Sequence, residues 1–317
     1  MRGVIVTLLA MAATGPLLPE WIIFLLTLAL AKAVVVVGIV LLLRGGLVSF
    51  GHAMYYAAGA YAVVFAMRLL GVREALLLNV IGLGLGAVLA SFLGLLVARY
   101  RGLFFSMLNL AASMMVYSAL LKFYWITGGT DGVQVRAASL LGLLPDLSFL
   151  RLGYFWWTLG IALLTVVVAF RVMESPAGYL LKAIADNETR VAYAGVSVER
   201  RIYVAYVLSG AFAGLGGSLS ALSVGHVVPE LSYWTQSGEF VFVALLGGYG
   251  HAAGALAGSV AFEFLRNYAY KASPYTWQLL LGTTLICMIL FQPGGLTELF
   301  AEAVRRGERW RFWRRGS

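Results

Sequence analysis

Long apolar stretches alternate with short polar ones along this chain, and the apolar stretches have membrane-spanning length. A helix rises 1.5 Å per residue, so about 20 apolar residues cross the hydrocarbon core of a bilayer. The runs that reach or approach this length are 21–43, 75–98, 103–121, 154–170, 202–224 and 277–291. The pattern predicts an all-α polytopic membrane protein with about eight to ten membrane segments, half-spans included.

Two further stretches, 45–66 and 238–258, are rich in glycine and alanine and differ from ordinary lipid-facing helices. Small residues let helices approach closely, and glycine permits broken or re-entrant backbone where protein or a cavity surrounds it. Gly51-His52-Ala53 in the first stretch is matched by Gly250-His251-Ala252 in the second. This match indicates either a structural repeat or chance in a chain rich in small residues.

The composition excludes a soluble domain. Only 12% of the residues are charged, against about 25% in soluble domains. The net charge of +9 would suit a nucleic-acid partner, but six arginines crowd the segment 298–317 beside tryptophan and phenylalanine. A basic and aromatic tail after a span is typical of an anchor on anionic lipid headgroups. We therefore expect membrane lipid, and no nucleic acid, to be the partner of the tail.

The distribution of Lys and Arg sets the orientation. Cytoplasmic loops are enriched in these residues, and the loop at about 173–201 and the tail at about 298–317 both carry several. The segment 126–153 then lies outside, and both chain termini are cytoplasmic. This parity requires residues 1–18 to be a retained span or half-span, although a signal peptide is the alternative. The chain is predicted to be a single transmembrane domain over 1–317.

The cytoplasmic loop has the pattern of a helix, a break, a second short helix and a stop. Ser175 and Pro176 suit a helix start, either Asp186 or Asn187 can cap the second helix, and Gly195 can end it. Such a loop is interpreted as a docking element for a soluble partner, or else as a connector resting on the headgroups. The residues assigned to coupling are Gly178, Lys182, Ile184, Asp186, Asn187, Glu188, Arg190 and Gly195.

Ionisable and polar side chains inside the spans are candidates for a translocation path. Lys32, Glu239 and Glu263 are costly in a bilayer and serve either transport or pairing within the bundle. Asn109 and Ser113 lie one helical turn apart, and they either line a path or form interhelical hydrogen bonds. The predicted path residues are Ser49, His52, Asn109, Ser113 and Glu239.

Several kinds of chemistry are not indicated. His52 and His251 are too few for a zinc site, so hydrogen-bonded packing is the favoured role and no metal is predicted. The single cysteine, Cys287, excludes an intrachain disulfide and is expected to be a packing residue. The sequence holds no GxxxxGK[ST], HExxH or GxSxG motif. We therefore expect a protein that is not an enzyme, with any ATP hydrolysed by a partner.

Four ordered stretches resemble permeases of the branched-chain amino acid ABC importers, of the LivM type. The first is GLVSFGHA at 46–53, and the second is RGLFFSML at 101–108 with TGGTDG at 127–132. The third is the loop 178–195 with LSGAFAGLGG at 208–217. The fourth joins SGE at 237–239 and LGG at 246–248 to FQPGGL at 291–296.

The resemblance implies a heteromeric importer in a bacterial inner membrane. Its other members would be a second permease of the LivH type, two ATP-binding cassette subunits that hold ATP and Mg²⁺, and a periplasmic solute-binding protein. This chain would hold no cofactor. The solutes implied are branched-chain amino acids or related small amides. The alternative class is a proton-coupled secondary transporter of small amphipathic solutes using Glu239, Glu263 or the histidines, which leaves the capped loop without a purpose.

Overall fold

The computed structural model describes residues 15, 18–140, 142, 147–273, 275–291 and 294–298. The helices are α1 (Glu20–Arg44), α2 (His52–Leu69), α3 (Ala75–Val97), α4 (Gly102–Lys122), α5 (Tyr124–Thr127), α6 (Leu147–Met173), α7 (Pro176–Tyr193), α8 (Val198–Val224), α9 (Trp234–Gly247), α10 (Ala252–Ala272) and α11 (Trp277–Phe291). The predicted first span at 1–18 and the basic tail fall almost entirely outside the described ranges.

The described part of the chain confirms the prediction of an all-α polytopic membrane fold. Five of its helices, α1, α3, α4, α6 and α8, are long and apolar enough to cross a membrane. A sixth span results if α9 and α10 are counted together, because they pass the same test as a pair. These two helices are bent by 114° across the short break between them. The predicted broken backbone around 238–258 is therefore present.

Helix α8 lies at the centre of the bundle and packs against α1, α2 and α3. Its glycines permit this, because a methyl group added at Gly214 would overlap the backbone of α3, and one added at Gly217 would overlap the carbonyl of Tyr56. The most apolar windows of α1 and α8 are both 78% buried, whereas those of α3 and α4 are 28% and 22% buried. Helices α1 and α8 thus lie inside the bundle, as does most of α2, and α3 and α4 turn apolar faces outward.

Two non-helical segments enter the bundle beside the N-terminus of α2. The first is the α1–α2 connection, 45–51, in which Leu47 and Ser49 are buried. The second follows α8 and ends in a 3₁₀ turn, Pro229–Ser232, that packs on α2. Irregular backbone at membrane depth is tolerated where protein surrounds it, because its polar groups find partners there. The Ser113 hydroxyl, for example, donates to the Ser232 carbonyl at 2.8 Å.

A small ribbon closes the end of the bundle opposite α7. Strand β1 (Val133–Gln134) pairs antiparallel with β2 (His226–Val227). The preceding segment turns sharply, with positive φ at Gly128, Gly129 and Gly132. The TGGTDG segment is dense in turn-forming residues, and its glycines adopt these conformations at little steric cost.

The prediction that Cys287 is a packing residue is wrong, because its side chain is exposed in this chain. Helix α11 lies at the edge of the bundle and packs on α9 and α10. A helix packed on one side only leaves its other face outward, and Cys287 lies on that face.

Candidate translocation site and coupling helices

Helix α7 has the predicted form of two short helices separated by a break. The Ser175 hydroxyl accepts a hydrogen bond from the Gly178 amide at 3.4 Å, and Pro176 is the first helical residue. Asn187 interrupts the helix with φ −161° and ψ 97°. Its Oδ1 accepts from the Arg190 amide at 3.0 Å and so caps the second helix. Gly195 follows the end with φ +82°, the left-handed conformation of a helix stop.

The residues predicted to couple this loop to a partner lie on two different faces of α7. Gly178 and Ile184 are buried against the bundle. A methyl group added at Gly178 would overlap the carbonyls at the end of α6, which makes this glycine a close-packing position. The residues turned outward are Lys182, Asp186, Asn187, Arg190 and Gly195. This outward set, together with the partly exposed Glu188, is available to a soluble partner.

Helix α7 contacts both connections that lead into the bundle on its side. Ala185 lies against Gly46 in the α1–α2 connection. Glu188 pairs bidentately with Arg101 in the α3–α4 connection, with Nε–Oε2 2.9 Å and Nη2–Oε1 3.0 Å. Arg101 also donates to the Ala98 carbonyl at 2.6 Å, which fixes the guanidinium. Bidentate pairs of this kind fix orientation as well as contribute energy. Helix α7 is therefore in contact with the connections that precede α2 and α4.

Polar side chains from the N-terminus of α2 form a buried cluster with α8. His52 Nδ1 lies 3.0 Å from Ser49 Oγ, and His52 Nε2 lies 2.5 Å from Ser209 Oγ. All three residues are fully buried. Both ring nitrogens of the histidine are thus occupied, which is the packing role predicted for it. His251, its counterpart in the possible repeat, also stands at a helix start but is exposed.

A second buried chain of hydrogen bonds joins α2, α8 and α4. The Tyr55 hydroxyl donates to the Tyr206 hydroxyl at 2.7 Å, and the Tyr206 hydroxyl donates to Asn109 Oδ1. The Asn109 amide nitrogen donates to the Phe105 carbonyl at 2.8 Å. Asn109 therefore forms interhelical hydrogen bonds, which was one of its two predicted roles. Buried networks with every member paired fix a unique packing.

Glu239 lies apart from these residues, in a cluster of four charges. Lys32 Nζ is 2.5 Å from Glu263 Oε1 and 3.3 Å from Glu239 Oε2. Arg266 is 3.4 Å from Glu239 and 4.0 Å from Glu263. The two cations and two carboxylates balance, so pairing within the bundle satisfies the intramembrane charges.

A cavity of about 480 Å³ opens beside the polar cluster and forms the candidate translocation site. Its described lining comes from the α1–α2 connection, the first turns of α4 and the start of α9, as Gly46, Val48, Phe50, Gly102, Leu103, Ser106, Met107, Leu110 and Trp234. The Ser106 hydroxyl is held by the Val48 carbonyl at 2.6 Å. The surface is apolar with few polar atoms, as in sites for small amphipathic solutes.

None of the five predicted path residues is among the described lining of this cavity. Ser49, His52, Asn109 and Ser113 form a layer of hydrogen bonds within the protein, and Glu239 lies in the charge cluster. Their role in a path stays a prediction. The aliphatic and aromatic lining was missed because its residues do not stand out from the many other apolar residues of the chain. The methionines of α4, including Met107, were the one feature of the sequence that pointed to it.

In the described ranges, no three His, Cys, Asp or Glu side chains are grouped as metal ligands.

These features define a multi-pass helical membrane protein with a cavity and a capped, kinked loop helix, and comparisons with known proteins specify the family. The family model "Branched-chain amino acid transport system / permease component" matches residues 21–289. LivM of Escherichia coli K12, a high-affinity branched-chain amino acid transport permease, is 27% identical over 79% of this chain and 64% of its own length. No solved structure matches.

Two other relatives carry related names. LivH of Salmonella typhimurium, from the same kind of transport system, is 21% identical over 79% of this chain and 85% of LivH. NupP of Bacillus subtilis, a guanosine ABC transporter permease, is 36% identical over 35% of this chain and 31% of NupP. With 269 of its residues inside the family model, the chain belongs to the branched-chain amino acid transport permease family. The alignment spans 64% of LivM, which is less than two thirds of its length.

Proposed function

We propose that this chain is a permease subunit of an ATP-driven importer that carries branched-chain amino acids or related small amphipathic solutes across a bacterial inner membrane. Membership of the permease family supports this proposal. The observation that carries it is α7, a capped and kinked helix that contacts both neighbouring connections and is ion-paired to one of them. A connector resting on headgroups needs neither a bidentate bridge to the bundle nor a second helix cap.

The proposed complex follows from the family and from the relatives' names. It contains a second permease of the LivH type, two ATP-binding cassette subunits and a periplasmic solute-binding protein. ATP and Mg²⁺ bind to the cassette subunits. The outward face of α7, with Lys182, Asp186 and Arg190, contacts one cassette subunit.

The geometry suggests how ATP hydrolysis changes the shape of the solute cavity. Movement of α7 acts on the α1–α2 connection through Ala185 and Gly46, and on the start of α4 through Glu188 and Arg101. Both elements line the 480 Å³ cavity. Because the same two elements contact α7 and enclose the cavity, displacement of α7 changes the shape of the cavity. The apolar lining suits the aliphatic side chain of a branched-chain amino acid.

Charge exchange across the α7 bridge tests the coupling. Arg101→Glu should place two carboxylates together and abolish stimulation of ATP hydrolysis by the loaded binding protein. Glu188→Arg should do the same with two guanidinium groups, and the double exchange should restore most of the stimulation. Thr189→Ala is the matched control, since Thr189 is exposed on the same loop and its side chain makes no hydrogen bond among the described residues. Unchanged ATP hydrolysis and uptake in both single variants would show that α7 is only a connector.

The energy source separates this proposal from a proton-coupled transporter. Uptake of radiolabelled leucine into proteoliposomes should require the cassette subunits and ATP, and it should survive a proton uncoupler. Uptake by this chain alone, or uptake abolished by the uncoupler at constant ATP, would contradict the proposal.

A further inference from the structure

A second cleft opens at the end of the bundle opposite α7. Its volume is about 390 Å³, and its described lining is Val64, Met67 and Arg68 of α2 with Gln134 and Arg136 of the ribbon segment. Sites for small organic solutes have volumes of this size, from about 300 Å³ upward. The cleft is separate from the candidate translocation cavity, with which it shares no described residue.

The cleft lies between the end of a helix and a short β-ribbon. Arg68 lies in the last turn of α2. Gln134 lies in β1 opposite His226, and the amide of Val135 donates to the Gly225 carbonyl at 2.9 Å. Arg136 follows Val135 directly, in irregular backbone beside the ribbon. Arg68 is thus carried by a helix, Arg136 lies next to a hydrogen-bonded ribbon, and both side chains are exposed at the cleft.

Neither arginine of this cleft is neutralised by the described residues. Arg68 and Arg136 make no ion pair or hydrogen bond there, whereas Arg151 at the bundle surface pairs with Glu20 at 2.5 Å. Two uncompensated guanidinium groups beside one cleft give it a positive potential and attract an anionic group. Guanidinium matches carboxylate geometry by two parallel hydrogen bonds. The cleft therefore has the charge of a carboxylate site.

The remaining lining selects the rest of the ligand. Val64 is buried and forms an apolar wall with Met67, while Gln134 adds an amide that can donate or accept. An apolar wall beside two guanidinium groups complements a molecule with an aliphatic part and a carboxylate. We propose that this cleft binds the carboxylate of a small aliphatic amino or carboxylic acid on the side from which it is imported. This inference rests on the proposed import function, because only an importer receives its solute at the end opposite α7.

Direct binding to the full chain in lipid nanodiscs tests the proposal. Saturation-transfer NMR would be recorded with L-leucine, with 4-methylpentanoate, which has the carboxylate but no amine, and with 3-methylbutylamine, which has the amine but no carboxylate. The two carboxylates should bind saturably and compete with each other, and the amine should not compete. Equal binding of the amine, or no binding of either carboxylate, would overturn the proposal.

Three single variants assign the binding to the cleft. Arg68→Gln and Arg136→Gln should each weaken carboxylate binding about tenfold or more, because each removes a charge-assisted hydrogen-bond donor. Arg68→Lys keeps the charge but loses the two parallel N–H donors of the guanidinium group. It should therefore bind more tightly than Arg68→Gln but more weakly than the wild type. Arg73→Gln is the matched control, since Arg73 is exposed at the same end but is not among the described lining. Equal losses in the Arg73 variant, or none in the cleft variants, would refute the assignment.

A further measurement separates this proposal from the proposed function and from docking of a protein carboxylate. If the complete importer shows no ATP-driven uptake while the isolated chain binds carboxylates through Arg68 and Arg136, the proposed function fails and the carboxylate site stands. If the cleft variants bind leucine normally but lose association with the solute-binding protein, the cleft is a protein-docking surface. That result would overturn the solute site.

Discussion

Removal of Lys32 from the buried charge cluster should destabilise the protein strongly. The side chains of Lys32 and Glu263 are only 8% and 6% exposed, and Lys32 contacts both carboxylates of the cluster. Breaking a buried pair by removing one partner costs about 3–5 kcal/mol, because the other charge stays buried. Arg266 stays near both glutamates at 3.4 and 4.0 Å and offsets part of the loss. We therefore expect Lys32→Met to cost about 3 kcal/mol, the lower end of that range.

A double variant separates the lost charge balance from lost packing. Lys32→Met with Glu263→Met leaves Arg266 and Glu239 as one neutral pair. Apolar residues of similar volume replace a buried ion pair at little cost, so the double variant should lie within about 1 kcal/mol of the wild type. Arg151→Gln is the surface control, because its pair with Glu20 is largely exposed and such pairs contribute about 0–1 kcal/mol.

The assay is reversible unfolding in mixed micelles at increasing SDS, followed by helical circular dichroism, with the four proteins compared at matched lipid content. The order of stability should be wild type and Arg151→Gln first, then the double variant, then Lys32→Met alone. If Lys32→Met is as stable as the wild type, the pairing of Lys32 with Glu239 and Glu263 does not stabilise the bundle. A double variant no more stable than the single one would show that packing, not charge balance, decides the loss.

Two other predictions concern packing and orientation. Gly59→Ala should cost about 3 kcal/mol and lower the thermal stability in detergent, because the added methyl group would overlap a carbonyl oxygen of α8. Gly84→Ala, where the structure leaves open space, should change stability by at most about 1 kcal/mol. Equal losses of stability in the two variants would refute the close packing of Gly59 on α8. In a Cys287→Ser background, an impermeant maleimide should label Asp131→Cys and Asp186→Cys from opposite sides of sealed vesicles. Labelling of both from one side would overturn the predicted orientation.

The local structure of α7 could be predicted in detail from the sequence. Helix starts, caps and stops depend on residues within one turn, so Ser175, Asn187 and Gly195 carried the signal themselves. The long spans and the broken backbone near 248–251 were equally accessible, because they follow from apolar length and from glycine content.

The partners of the polar residues could not be predicted. Tyr206 and Asn109 are 97 positions apart, and Lys32 and Glu239 are 207 apart, so only the three-dimensional packing brings them together. The approach of Arg68 and Arg136 to one cleft could not be predicted either, because Arg136 follows a ribbon of two-residue strands too short to show any alternation.

The balance of the charge cluster has an electrical consequence. Moving one elementary charge across a membrane potential of 100 mV involves about 2.3 kcal/mol, so unpaired charges in a moving part make a transport cycle sensitive to voltage. Lys32, Arg266, Glu239 and Glu263 join α1, α9 and α10 with two positive and two negative groups. If these helices shift together, the cluster carries no gating charge with them. A collapse of the membrane potential would then leave the conformational equilibrium of this part of the bundle unchanged.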